Sequence, residues 1–172
     1  MQQHDLFSGP VTSGVHLLGP YRYSLWRGWD ASLPICVFIL LNPSWADGEK
    51  PDPTMTRCLD FARRWGFGGL LIVNAFAWRT ESPSEMLAAS GEHDIIGPLN
   101  DEQIVSAVKR AGRVVAGWGA TGGYKGRAAK VCELIRPHAD LWALEINADF
   151  SPKHPLYIRA DQEPFIWQRR AA

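Results

Sequence analysis

The sequence is poor in cysteine, has no excess of charge of either sign and contains no long apolar run. Its three cysteines, Cys36, Cys58 and Cys132, include no Cys-x-x-Cys pair. This argues against a disulfide framework or a zinc site and favours a reducing compartment. The longest apolar run, residues 35–41, is too short to cross a bilayer, and the start of the chain lacks the features of a signal peptide. We therefore predict a cytoplasmic protein that does not associate with membranes.

Charge is balanced overall but unevenly distributed. Lys and Arg number 18 and so do Asp and Glu, and a net charge of zero argues against nucleic-acid binding by bulk charge. Residues 81–102, however, carry six acids and no Lys or Arg, whereas residues 109–136 carry seven basic residues and one acid. A solvated helix face is the common explanation of such a run. A phosphate-facing patch is the alternative, because Lys125 and Arg127 follow a glycine-rich turn that includes Gly119.

The length predicts one domain over residues 1–172, with a core over about residues 20–160. Four short apolar runs without clean alternation are typical of strands buried on both faces: residues 35–41, 70–76, 113–118 and 140–146. Helical spacing of apolar residues is found over residues 54–65, 82–87, 99–111 and 125–135. This strand–helix alternation predicts a parallel sheet with helices on both faces. Residues 21–29 alternate in polarity and would add an edge strand or a hairpin.

Polar residues follow several of these predicted strands, at the sheet edge where α/β proteins bind ligands. Asn42 comes directly after the first strand, Asn74 lies near the end of the second, and His154 follows the fourth. Each also has a structural explanation: Asn42 before Pro43 fits a turn, and a single histidine is often a structural hydrogen bonder. Asn74 is harder to explain structurally, because a buried amide must find partners. Together these residues predict a functional cleft.

The chain is rich in tryptophan, with eight residues. A core built with large rings is one explanation, and a surface that stacks on bases is the other. We assign most of these rings to the core and keep the loop residues Trp45 and Trp78 as candidates for stacking.

Five blocks of sequence, FILLNPSWAD, DPTMTRC, GGLLIVNAFAWR, VVAGWG and HPLYI, resemble an uncharacterised bacterial and phage domain family over about residues 20–160. The same blocks are similar to the uracil-DNA glycosylase superfamily, most of all to its mismatch-specific thymine/uracil branch. Four positions match the motifs of that branch: Asn42-Pro43, Asn74, Trp118-Gly119 and His154-Pro155. The glycines that flank the first motif and the serine of the last are missing here. The resemblance implies a three-layer α/β/α sandwich around a four-stranded parallel sheet in the order 2-1-3-4.

The resemblance also implies a base-excising enzyme that flips a modified or mismatched DNA base into a pocket. Asn42 would position the attacking water, with Asp47 or Asp52 as a nearby carboxylate. His154 would donate a hydrogen bond to a base oxygen as the base leaves. The residues expected to hold the base are Asn74, Trp45, Phe76, Pro43 and Ser44. Those expected to contact DNA phosphates are Gly119, Lys125, Arg127, Arg79 and Lys153. No metal or cofactor is required, and the protein would act as a monomer.

Two other classes of function fit the same residues. One is a non-catalytic module that binds a nucleotide or a modified base as a sensor. The other is a hydrolase acting on free nucleosides or nucleotides, which would account for the neutral net charge. For a DNA glycosylase, both repair and defence against modified phage DNA are open, and salt-dependent DNA binding would favour the DNA substrate.

Overall fold

The structure, a computed structural model, describes residues 12–45 and 52–172. Within these ranges one sheet contains seven strands. In chain order they are β1 (Thr12–Leu18), β2 (Tyr21–Gly28), β3 (Ile35–Leu40), β4 (Gly69–Asn74), β5 (Ala111–Ala116), β6 (Leu141–Ala143) and β7 (Phe165–Gln168). Across the sheet the order is β1-β2-β4-β3-β5-β6-β7.

The centre of the sheet is parallel and its two flanks are antiparallel. β3 pairs in parallel with β4 on one side and with β5 on the other, and β6 extends the parallel part beyond β5. β2 pairs antiparallel with β4, β1 with β2, and β7 with β6. The parallel part consists of the four strands with continuous apolar runs, because these strands are covered on both faces.

The prediction of a four-stranded sheet is wrong, since the sheet has seven strands of mixed direction. The alternating segment at residues 21–29 forms β2, which builds a hairpin with β1 and also joins β4. At the other edge β7 has only four residues, too few for an alternating pattern to stand out. The coarser expectation, a mixed α/β fold around one sheet, is confirmed.

The described ranges contain four α-helices: α1 (Pro53–Arg64), α2 (Pro83–Ala89), α3 (Asn100–Arg110) and α4 (Arg127–Ile135). Asp52 begins α1, because its carboxylate accepts the backbone N–H of Met55 at 2.6 Å. Pro53 then stands in the first turn, where its missing N–H is not needed. Ser82 caps α2 in the same way, accepting the Glu85 N–H at 3.3 Å. The positions predicted for these helices are confirmed.

Alternation along β3 divides the core into two layers. Val37 and Ile39 pack with α3 and α4 on one face, whereas Cys36 and Phe38 pack with α1 on the other. Helices therefore cover both faces of the sheet. Within the described ranges no helix is both long enough and apolar enough to span a membrane.

One edge of the sheet collects the carboxyl ends of β3, β4, β5 and β6, because these strands are parallel. β2 runs in the opposite direction, so its first residues lie at the same edge. There the Arg22 N–H donates to the Ala77 carbonyl, just past β4, at 3.0 Å. The segment after β6 returns to this edge too, where the Gly119 N–H donates to the Pro152 carbonyl at 2.9 Å.

Candidate functional site

A cavity of about 180 Å³ opens at this edge, on the face of the sheet that α1 covers. Its polar lining includes Arg22, Asn42, Ser44, Asp52, Asn74 and His154. Leu40, Met55 and Ile72 form apolar parts of the wall. The space equals about six water molecules in liquid water and lies below the range for drug-sized ligands, so it suits a small group. We call it the Asn74 cavity.

Asn74 ends β4 and is only 2% exposed. Its backbone carbonyl accepts a hydrogen bond from Asn100 Nδ2 at 2.9 Å, which fixes the peptide. Its own side-chain Nδ2 is buried and has no hydrogen-bond partner among the described residues. A buried donor without a partner costs about 1–3 kcal/mol, and an acceptor atom of a bound ligand would remove that cost.

His154 precedes a short 3₁₀ turn formed by Pro155–Tyr157. Its Nδ1 accepts the backbone N–H of Leu156 at 3.2 Å, so the neutral ring carries its proton on Nε2. Burial lowers the pKa of His154, and the negative charge of Asp52 acts in the opposite direction. The ring is therefore held neutral at neutral pH, with Nε2–H as a hydrogen-bond donor.

Asn42 connects the loop after β3 with the loop after β4. Its Nδ2 donates to Thr80 Oγ1 at 2.8 Å, and the Thr80 N–H donates to the Pro43 carbonyl at 3.1 Å. These bonds hold the side-chain amide in one orientation. Because Nδ2 is directed at Thr80, the amide oxygen is the atom left to accept a hydrogen bond from a ligand or a water molecule.

Asp52 and Arg22 bring opposite charges to the cavity. The Ser44 hydroxyl donates to Asp52 Oδ2 at 3.4 Å, while Oδ1 caps α1. Asp52 thus serves the helix and lines the cavity at the same time. Arg22 is almost fully buried, and burial lowers its pKa to about 10, with Asp52 opposing and Arg79 adding to the shift.

Sequence reasoning missed Arg22. The available signal was a charged residue inside an alternating segment whose other residues pack well in a strand. The local sequence does not show that Arg22 lies near the site. It lies there because β2 pairs antiparallel with β4, which places the start of β2 at the ligand-binding edge.

Five of the predicted site residues meet in this cavity: Asn42, Ser44, Asp52, Asn74 and His154. Pro43 is buried next to them in the chain. Trp45 is 51% exposed, and the guanidinium carbon of Arg79 lies 4.5 Å from the centre of its ring, a cation–π contact. The predicted Asp47 lies outside the described residues.

Phe76 and Gly119 were expected in the same cleft, and the structure places them elsewhere. β4 ends at Asn74, so alternation no longer directs Phe76 to the same face, and its buried ring joins the core beneath α3 and α4. Gly119 adopts a left-handed φ of 68° and donates its N–H to Pro152. That N–H holds the segment before His154 and is not available to a phosphate.

The cations predicted to contact DNA differ in accessibility. Lys125 is exposed. Arg127 is only 3% exposed, because its Nε donates to the Ala75 carbonyl at 2.6 Å and its Nη1 lies 2.7 Å from the Asp101 carboxylate. Arg127 is therefore not a surface cation, and its predicted contact with DNA phosphates stays a prediction. Lys153 pairs with Glu145 at 2.9 Å.

The Asn74 cavity combines several chemical capacities. Asn74 and His154 supply donors, Asn42 and Asp52 supply acceptors, and Arg22 supplies positive charge. Such a set can bind a small polar group, stabilise an oxygen that gains negative charge and orient a water molecule. In the part of the chain that the structure describes, no three His, Cys, Asp or Glu residues are grouped so that they could hold a metal ion.

The chain belongs to the family described as Protein of unknown function (DUF1643), which matches residues 22–156. No curated protein and no solved structure matches the chain. The expectation of an uncharacterised domain family is confirmed, and the likeness to glycosylases stays a prediction.

Proposed function

We propose that this protein hydrolyses the N-glycosidic bond of a nucleotide whose base enters the Asn74 cavity, with a modified or mismatched base in DNA as the substrate. The observation that carries the proposal is the buried Nδ2 of Asn74, which has no partner among the described residues and belongs to a residue that lines the cavity. A base with a carbonyl or ring-nitrogen acceptor on its edge would supply that partner.

The leaving base would be stabilised by His154. Breaking the bond between C1′ and the base nitrogen leaves the electron pair on the base, and negative charge spreads to its carbonyl oxygens. A neutral imidazole with its proton on Nε2 donates to such an oxygen and stabilises this charge as it forms. Protonation of the ring would place a proton on Nδ1, where the Leu156 N–H already donates, and would break this arrangement.

The attacking water would lie between Asn42 and Asp52. The amide oxygen of Asn42 accepts one hydrogen bond from the water, and the carboxylate of Asp52 accepts the proton that is lost when the water oxygen bonds to C1′. Arg22, which is almost fully buried and lines the same cavity, balances the charge of Asp52.

The arrangement of the central strands is also consistent with a glycosylase-like fold. The parallel strands follow the order β4-β3-β5-β6, with α1 on one face and α3 and α4 on the other. This order is the one that the resemblance implies for strands two, one, three and four. We propose that the hairpin of β1 and β2 and the strand β7 are additions to that plan.

Incubation with a panel of oligonucleotides tests the proposal. Single and double strands carrying uracil, mismatched thymine or modified bases are scored for abasic sites by alkaline cleavage. We expect release of at least one base, and losses in turnover of about 100-fold for His154→Gln and Asn42→Ala. Asn74→Ala should change which bases are released. His138→Gln is the matched control, because His138 lies beyond α4 and does not line the cavity.

A free nucleoside or nucleotide is the second candidate substrate. The burial of Arg127 and the pairing of Lys153 with Glu145 leave fewer cations to follow a DNA backbone, and this favours a small substrate. Release of bases from nucleosides but not from oligonucleotides would establish it. Binding of oligonucleotides without any release would instead identify a non-catalytic sensor.

A further inference from the structure

A second and larger cavity, of about 290 Å³, lies on the opposite face of the sheet. Part of its lining comes from the segment between α2 and α3, and part from the turn that begins α4. The lining residues that matter here are Phe76, Ile95, Tyr124, Lys125, Arg127 and Lys130. We call it the Lys125 cavity. None of these residues lines the Asn74 cavity.

Part of the lining of the Lys125 cavity is positively charged. Lys125 and Lys130 are exposed at its wall. Lys125 and Gly126 have left-handed φ angles of 50° and 73°, which turn the chain sharply into α4. Gly126 is the N-cap of α4 and offers no side chain to cap it. The first-turn N–H groups of α4 and its dipole therefore add to the positive potential of the two lysines.

Arg127 gives an independent sign that this wall accepts a ligand. Its Nε and Nη1 are engaged by Ala75 and Asp101, but Nη2 is buried and has no hydrogen-bond partner among the described residues. Arg127 is only 3% exposed and lines the cavity. A guanidinium held by two fixed bonds, with one donor left over, is suited to an incoming oxygen acceptor.

Another part of the lining is apolar and aromatic. The buried residues Phe76 and Ile95 contribute to it, together with the ring of Tyr124. The hydroxyls of Tyr124 and Ser90 lie 2.9 Å apart and form a polar pair beside this wall. Asp94 is the acid of the lining, and its Oδ1 accepts the backbone N–H groups of Ile96 and Gly97. Apolar and aromatic side chains next to cations fit a ligand that has both a ring and a phosphate.

We infer that the Lys125 cavity binds a small phosphomonoester with a flat ring, of the size of a nucleoside monophosphate. The phosphate contacts Lys125, Lys130 and the start of α4, and the ring packs against Phe76, Ile95 and Tyr124. This site is separate from the Asn74 cavity and does not depend on the proposed glycosidic activity.

Calorimetric titration of the full chain tests this inference. The probes are adenosine 5′-monophosphate, uridine 5′-monophosphate, adenosine and inorganic phosphate. We expect at least one nucleotide to bind at least 10-fold more tightly than adenosine and than inorganic phosphate. The double variant Lys125→Ala/Lys130→Ala should lose at least 10-fold in nucleotide affinity, whereas Lys109→Ala, an exposed lysine at the end of α3, should not.

Asn74→Ala separates the two cavities. Nucleotide binding that persists in Asn74→Ala and is lost in the double lysine variant supports the inference, whatever the oligonucleotide assay shows. Binding that is lost in Asn74→Ala and kept in the double variant belongs to the Asn74 cavity and overturns it. Equal affinity for adenosine and its monophosphate, or no binding of either nucleotide, would also overturn it.

Discussion

The Asn74 cavity and the Lys125 cavity lie on opposite faces of the same sheet, and they hold their polar groups in different ways. In the Asn74 cavity, Asn42 is bonded to Thr80, and Asp52 and His154 each accept a backbone N–H close by in the chain. In the Lys125 cavity, the exposed Lys125 contacts only its chain neighbour Tyr124, with Nζ 5.4 Å from the centre of the ring, and the exposed Lys130 forms no ion pair with the described residues. Of its three cations, only Arg127 is held by both a backbone carbonyl and a carboxylate.

This difference separates a site suited to chemistry from one suited to binding. Reacting groups must be held within a fraction of an ångström of their working position. This requires that each side chain also form a hydrogen bond with the surrounding protein. Attraction of an anion needs only charge and reach, which exposed lysines provide. The end of β4 contributes a residue to each cavity. Asn74 lies on the face of the sheet that α1 covers, and Phe76, two residues later, packs on the opposite face.

Removing the buried guanidinium of Arg127 from the wall of the Lys125 cavity should have the largest effect on stability. Arg127→Leu leaves the Ala75 carbonyl with one donor fewer and Asp101 without its partner, and we expect a loss of about 3 kcal/mol in the free energy of unfolding. Urea denaturation measures it. Arg169→Leu, at an exposed position, is the control and should change stability by less than about 0.5 kcal/mol. Equal small losses in both variants would show that Arg127 is not an anchor.

Displacing a backbone segment of the Asn74 cavity should have the next largest effect. A Cβ at Gly117 would lie 2.8 Å from Pro155 Cδ and 3.1 Å from Leu40 Cδ2. Gly117→Ala should therefore move the segment that carries His154, cost about 2 kcal/mol and lower turnover. Gly91→Ala is matched to it, since nothing lies within 4 Å of that position. Unchanged turnover in Gly117→Ala would mean that His154 tolerates the displacement.

Two substitutions of Asp52 separate its structural role from its charge. Asp52→Ala removes the cap of α1 and should cost about 1 kcal/mol, whereas Asp52→Asn keeps a good cap residue and should cost much less. Both remove the carboxylate, so both should lower turnover equally. Thermal unfolding and base release, measured on the same preparations, check the two effects. If Asp52→Asn kept full turnover, Asp52 would be a cap alone.

The smallest expected effect is a pH dependence that comes from the Asn74 cavity. Because burial lowers the pKa of His154 from its ordinary value of 6.5, the unfolded chain binds a proton at this residue more readily than the folded protein does. The stability is thus complete above pH 6.5 and is lost as the pH falls through the lower pKa of the folded state. Denaturation between pH 7.5 and about pH 5 should show this slope.

His154→Gln should flatten that slope. The carboxyl groups of Asp30, Asp149 and Asp161, whose pKa values are lowered from 3.8, act at more acid pH and do not interfere. A slope unchanged in His154→Gln would assign the effect to another group.

The central strands and the helices could be predicted because burial and amphipathicity leave a local pattern. Strands covered on both faces have continuous apolar sequences. The start of a helix can be recognised from a capping residue followed by proline, as at Asp52-Pro53. The hairpin was predicted only in part and β7 was not predicted, since pairing with a distant strand, rather than local pattern, decides whether a short segment joins a sheet.

The candidate site was partly predictable for the same reason. Asn42, Asn74 and His154 could be chosen because each follows a strand, and parallel strands end at one edge. Phe76 and Arg127 were misplaced because the direction of a side chain past a strand end, and the reach of a long one, depend on tertiary contacts. Arg22 required knowledge of an antiparallel partner that the local sequence does not reveal.

The Ala75 carbonyl links the two faces of the molecule. It accepts hydrogen bonds from Arg127, on the wall of one cavity, and from Asn100, whose amide also holds the carbonyl of Asn74 in the other. Arg127 and the Asn74 peptide therefore share a hydrogen-bond network that runs through the Ala75 carbonyl and the Asn100 amide. By thermodynamic reciprocity, any influence of one occupant on the affinity of the other must act equally in the reverse direction.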